Sequence, residues 1–305
     1  MQDKPLQGVK VLVTRAEEQA DRFADLLQEL GATTLERAFL AVSPASDYSE
    51  LDKAISQLNQ YQWIIFASQN AVKFTLQRLK ALGLPAQALS QCQLASIGPA
   101  TSNCLAEVGL SVAFQPTAYV AETLVAEFQQ QINLAGQRLL WPKTNIGRLL
   151  IADGLRAAGA QVDTAIAYES GLPSNKEQLA RELVTLLRDQ AIDIITLASG
   201  QTARNLGQLL DLGLELELEA KLELGVKPEL GVKLELGPDH KEKLALLKEG
   251  KEELLGSVKI AAIGPITASA AEQSLGRVDV VAEEHTLKGL TDSLLASLKF
   301  EQNQI

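Results

Sequence analysis

The chain has 305 residues, of which 46% are apolar, 22% charged and 4% aromatic, with a formal net charge of −10. Its length suits two domains of ordinary size, and its composition is that of a soluble globular protein. The acidic balance excludes the basic footprint of a nucleic-acid binder, so an anionic ligand must be held by local groups rather than by a global field.

In chain order, Met1 to Val9 shows neither the apolar core of a signal peptide nor a membrane span, so the cytoplasm is the expected compartment. VKVLVT from Val9 reads as a buried strand. The following EEQADRFADLLQEL is an amphipathic helix with Ala20, Phe23, Leu27 and Leu30 on one stripe, stopped by Gly31. WIIFAS, CQLASI, QRLLWP, QVDTAIAY, DIITLAS and VKIAAI supply further strands, with helical patterns between them. This alternation predicts α/β units on parallel sheets with right-handed crossovers. Trp63 and Trp141 fall in strands and read as core. Cys92 and Cys104 form neither a disulfide framework nor a metal site and read as small buried apolar residues.

Three phrases occur twice and in the same order. SIGPAT from Ser96 returns as AIGPIT from Ala262, which matches Gly98, Pro99 and Thr101 to Gly264, Pro265 and Thr267. WIIFASQN resembles DIITLASGQ, with Ser68 opposite Ser199, and the opening strand and helix resemble the stretch from Gln137, with Gly31 opposite Gly159. So long a period fits a duplicated domain better than a solenoid.

In sheets of this kind ligands gather where strands end and helices begin. Gly98 allows a tight turn, Pro99 suits the first helical position, and free N–H groups at the helix start favour carboxylate or phosphate. Thr101 and Thr267 place hydroxyls one turn inside such helices. Ser68 with Asn70, and Ser199 with Thr202, do the same after other strands. Taken singly, each could merely cap a helix; at matched places in both halves, they point to a ligand-lined cleft. No nucleophile elbow, Walker loop or dinucleotide fingerprint is present, and His240 and His285 lack triad partners and read as surface or capping residues.

From Leu212 to Leu236 every even position is apolar or proline, and the odd positions hold only Gly, Glu or Lys. Period two favours strand, whereas Leu, Glu and Lys favour helix. The expectation is a low-complexity surface insertion over about 212–256 with one hairpin, followed by a helix over 240–255.

The order of these motifs resembles the uroporphyrinogen-III synthase family. An opening V-L-V-T-R precedes a strand ending in A-S-x-N and then I-G-x-x-T. A strand reaching a tyrosine in AIAYES follows, then a second A-S strand, and finally I-G-P-x-T with V-A-E-E beyond. The similarity runs from Val11 to about Leu210 and resumes from Val258 to about Leu298. It implies two flavodoxin-like, doubly wound lobes joined by a two-strand hinge, with residues 1–39 and 171–305 in one lobe and 43–167 in the other. It also implies a cofactor-free lyase that closes hydroxymethylbilane, a linear tetrapyrrole with eight carboxylates, into uroporphyrinogen III. Water is lost and ring D is inverted.

Tyr168 matches the family's tyrosine and is the candidate acid for the departing hydroxyl. Thr267, Thr101, Ser68, Asn70, Ser199 and Thr202 are candidate substrate-binding residues. Arg15 and Arg148 are candidates for pairing with carboxylates, although helix-terminal salt bridges explain them equally well. The resemblance implies a cytoplasmic monomer without metal, nucleic-acid or membrane partners, and leaves room for a transient contact with hydroxymethylbilane synthase. The rival reading is a catalytically inactive two-lobed ligand-binding or sensor protein of the same fold.

Overall fold

The structure, a computed structural model, describes residues 4–14, 17–147, 149–223 and 240–302. It divides into two compact units, Met1–Ala41 with Gly171–Ile305, and Val42–Ser170. The first stretch holds β1 (Lys10–Val13), α1 (Glu17–Glu29) and β2 (Thr33–Glu36). The middle stretch begins with β3 (Ala41–Pro44), α2 (Ser49–Ser56), β4 (Trp63–Phe66), α3 (Gln69–Ala81), β5 (Gln93–Ser96) and α4 (Pro99–Ala106). It continues with α5 (Ala121–Gln131), β6 (Arg138–Thr144), α6 (Leu150–Ala157) and β7 (Gln161–Gly171). The last stretch opens with α7 (Lys176–Arg188), β8 (Ile194–Leu197), α8 (Gly200–Glu223) and α9 (His240–Leu255). It ends with β9 (Lys259–Ala262), α10 (Pro265–Leu275), β10 (Val280–Val281) and α11 (Leu287–Gln302).

Each strand expected from an apolar run is present. The strands not foreseen are β2, β3 and β10, and the reason is local. TTLE and AVSP are half-exposed or exposed, and β10 has two residues, so none carries a buried apolar run. Along α1 the stripe residues Phe23 and Leu27 are buried, and Gly31 ends the helix region at a φ of 98°, which a side chain rarely adopts.

The first unit's sheet has the order β10-β9-β8-β1-β2, and every pairing in it is parallel. The second has the order β3-β7-β6-β4-β5, with β7, β6, β4 and β5 parallel. In the first sheet the chain leaves β1 toward β2 and resumes on the other side with β8. In the second it leaves β4 toward β5 and resumes on the other side with β6. Strand order therefore reverses between β1 and β8, and again between β4 and β6. At such reversals the connections diverge to opposite faces and leave a crevice beyond the strands' carboxyl ends.

Side chains alternate across each sheet, so each strand feeds two cores. Ile64 and Phe66 join Leu51, Leu79 and Leu89 on one face of the second sheet, while Trp63 and Ile65 join Phe128, Leu139 and Trp141 on the other. Both tryptophans are core, as expected. In the first sheet Leu12 points to one core and Val11 with Val13 to the other. Cys92 is buried, and its thiol is pushed up to about 11 by burial; Cys104 is half-buried.

The alternating segment corrects the expectation of a hairpin where it is described. Residues 212–223 continue α8 as helix, and a helix over 240–255 follows as α9; residues 224–239 lie outside the described residues. The helical period prevails because Leu206, Leu209, Leu210 and Leu214 fall on one buried face of α8. Lys251 and Lys243 of α9 then pair with Asp211 and Glu215 of α8, at 2.8 Å and 3.1 Å.

Candidate functional site

In the second unit, β4 ends at Phe66 and α3 starts at Gln69, with Ser68 as the N-cap in extended conformation. The Ser68 Oγ accepts the Ala71 N–H at 3.1 Å, the usual capping bond. It also lies 3.1 Å from the Tyr168 hydroxyl, which projects from the carboxyl end of β7. Tyr168 is 7% exposed, and Phe74, one turn into α3, stacks on its ring at 5.6 Å with planes 17° apart. A register shift between Lys143 and Thr144 places Thr144 opposite Tyr168. Asn145 then binds the Tyr168 carbonyl through its N–H, while its side chain accepts the Ser170 N–H at 2.8 Å. Tyr168 is therefore fixed along its backbone, its ring and its hydroxyl. Asn70 is half-buried, and its side chain makes no hydrogen bond among the described residues.

In the first unit, Ser199 precedes α8 and accepts the Thr202 N–H at 3.1 Å, while the two hydroxyls lie 2.8 Å apart. Capping thus accounts for Ser68 and Ser199. It does not account for Thr101 and Thr267. The caps of α4 and α10 are Gly98 and Gly264, without side-chain bonds. Each threonine is 5% exposed, and neither hydroxyl has a partner among the described residues.

One offset carries Gly98 to Gly264 and Tyr119 to His285. In both units the aromatic ring covers the glycine. A Cβ on Gly98 would touch Tyr119 at 3.5 Å, and one on Gly264 would stand 2.9 Å from the His285 Cδ2, too close for a side chain. Both glycines are extended, so the ring, not the backbone, requires Gly264. His285 is exposed and Tyr119 is 57% exposed, so each helix start presents the edge of a ring to solvent.

Arg15 and Arg148 lie outside the described residues, as does the side chain of His240. Among the described residues no group of His, Cys, Asp or Glu could hold a metal ion, and no helix is long and apolar enough to cross a membrane.

A cavity of about 290 Å³ in the second unit lies at the opposite, amino end of the strands, lined by Lys53, Tyr61, Arg138, Arg156 and Asp163 among others. Three of its groups satisfy one another. Asp163 accepts from Tyr61 at 2.7 Å and from the Arg138 Nε at 2.9 Å. Burial alone would raise the Asp163 carboxyl, but these donors hold it below its usual range; burial and Asp163 together raise the Tyr61 phenol. This network is structural. The side chains that sequence reasoning missed are Phe74, Tyr119 and Lys143. Lys143 left a readable signal, because strand alternation sets it on the same face as Trp141, and so did Tyr119, which the repeat's offset carries to His285.

The family model described as "Uroporphyrinogen-III synthase HemD" matches residues 21–221 and 241–292. A uroporphyrinogen-III synthase of Synechococcus elongatus is 33% identical over 291 residues, covering 95% of this chain and 96% of its own. The fold resembles that of a mutant uroporphyrinogen III synthase from Thermus thermophilus, with a TM-score of 0.54 at 18% identity, covering 96% of this chain and 100% of that one. It also resembles the Helicobacter pylori protein, with a TM-score of 0.50 at 15% identity, covering 94% and 99%. The family match leaves out only 222–240 between its two segments, so the insertion is narrower than the 212–256 expected from the alternating pattern.

Proposed function

This chain belongs to the uroporphyrinogen-III synthase family and carries its activity, the closure of hydroxymethylbilane to uroporphyrinogen III; from that premise we propose how its own residues act. The observation that supports the assignment of roles is the pairing of the Ser68 and Tyr168 hydroxyls at the carboxyl ends of β4 and β7. The Ser68 oxygen already accepts the Ala71 N–H, so its own hydrogen is available to the Tyr168 oxygen. Tyr168 then turns its proton toward the hydroxyl that leaves the bilane as water. The adjoining pyrrole nitrogen pushes that hydroxyl out, so the acid has a modest share of the work.

The larger task is holding one conformation of a reactive cation while ring D inverts, which is an orientation effect. Free N–H groups at the starts of α4 and α10 suit substrate carboxylates, and Thr101 and Thr267 supply hydroxyls there. Ser199 with Thr202, Asn70, Arg15 and Arg148 are assigned to the remaining carboxylates. The architecture that accompanies this reading has two flavodoxin-like lobes, 1–39 with 171–305 and 43–167, linked by a two-strand hinge. The protein is assigned to the cytoplasm as a monomer, with room for a transient contact with hydroxymethylbilane synthase.

The test is direct. The purified protein is supplied with hydroxymethylbilane, and the oxidised products are resolved into isomers I and III. Isomer III is expected in excess over the enzyme-free control. Isomer I alone would return the chain to the rival reading, an inactive binding protein of the same fold. Thr267→Ala and Thr101→Ala should each weaken turnover, with Thr267 the more severe.

A further inference from the structure

We infer that Lys143 is a substrate-anchoring residue whose ammonium takes one carboxylate of the bilane at the carboxyl end of β6. The inference rests on the family activity above and deepens it. Among the described residues Lys143 is the single charged side chain buried past nine-tenths, at 8% exposure. Its Nζ donates to the Thr144 carbonyl and lies 5.9 Å from the centroid of the Trp141 ring. No carboxylate of the described residues pairs with it.

Elsewhere in the unit the half-buried arginines are neutralised: Arg78 pairs with Asp52 at 2.5 Å, and Arg138 with Asp163 at 2.7 Å. Both of those arginines are also more exposed than Lys143. A buried ammonium without a counter-charge is costly, and leaving it so is poor design for stability alone. Burial accordingly lowers the Lys143 ammonium from its ordinary value.

Position supplies the reason for keeping the charge. Strand order reverses between β4 and β6, so the crevice of this sheet opens between Ser68, after β4, and Lys143, at the end of β6. Trp141 and Lys143 face one side of the sheet, while Tyr168 belongs to the core on the other. An anion at the crevice is reached from both sides, by the lysine on one and the hydroxyl pair on the other. A carboxylate there supplies the missing counter-charge.

A purely structural lysine, tying down the Thr144 carbonyl at the register shift, predicts the opposite behaviour. The experiment compares Lys143→Met, Lys143→Gln and Lys143→Arg with the wild type by thermal melting and by kinetics on hydroxymethylbilane. If Lys143 anchors substrate, Met and Gln leave the ligand-free melting temperature unchanged or higher. They raise KM by about tenfold or more, the size of one lost charge-assisted hydrogen bond. Their kcat falls less than KM rises, and Arg restores most of the affinity. A lower melting temperature with KM unchanged, or a Lys143→Met protein that does not fold, overturns the inference in favour of the structural tie. Failure of the wild type itself to form isomer III would instead reject the activity on which the inference stands.

Discussion

The Tyr168 oxygen is placed to accept from Ser68, which leaves the phenol's own proton free for a substrate group. The arrangement joins a capping residue to a candidate acid, so the two substitutions separate cleanly. Tyr168→Phe removes the proton and keeps the ring on Phe74. It should lower kcat by about tenfold to 10²-fold, the low end of general-acid effects or less, while KM stays near normal and isomer III remains the product. Wild-type kcat would exclude the acid role, and release of mainly isomer I would recast Tyr168 as a conformational clamp. Ser68→Ala should lower kcat less and also cost about 1 kcal/mol of stability through the lost cap. Ser68 was legible as a helix start, and Tyr168 through the resemblance. Their contact was not legible, because it joins positions 100 residues apart. Lys143 was passed over for a different reason: alternation sets it on the Trp141 face, but the burial of a lysine at a strand end is visible only once its neighbours are known.

Helix α8 shows how two periodicities can share a sequence. Apolar residues at every second position include pairs four apart, so Leu210 and Leu214 serve a helix as well as they would a strand. What decides between them is the neighbouring surface. Gly213 lets α8 approach α7 so closely that a Cβ there would stand 2.6 Å from the Val184 Cγ2 and 2.7 Å from the Ala180 carbonyl. On the other side Leu214 fills the space beside Gly250 of α9, where a Cβ would meet it at 3.1 Å. These approaches are invisible to a pattern read along one chain segment, which is why the segment looked like an independent hairpin. The boundary of the dispensable part follows. Replacing 224–239 with a short Gly-Ser linker should preserve both isomer III formation and the melting temperature. Extending the replacement to 213–250 removes Leu214 from the core and should abolish the cooperative melt; an active, folded protein after the longer replacement would show that α8 and α9 do not need each other.

At the scale of the molecule, the repeated phrases mark equivalent βα starts, β5 with α4 and β9 with α10, but repetition alone does not say which strands share a sheet. That depends on β1 pairing with β8, Val11 opposite Ile194, and on the Lys10 N–H reaching the Asp193 carboxylate at 2.7 Å. No local pattern encodes a partner so far along the chain. The two units should consequently differ as fragments. Residues 42–170 contain four parallel strands, β4 to β7, and both cores that cover them, so this fragment should give a cooperative urea transition by circular dichroism. Residues 171–305 lack β1, with Leu12 missing from one core and Val11 and Val13 from the other, and should show no such transition until a 1–41 peptide is added. A cooperative melt of 171–305 alone would refute this. The same pairing sets a timetable on the ribosome. Strand β1 emerges long before β8 and cannot find that partner until β8 has been made, a wait of roughly 9–37 s at the usual pace of synthesis. The middle unit can complete itself in that interval. The nascent amino-terminal segment, with its valines still uncovered, is the part of this protein that a chaperone would meet.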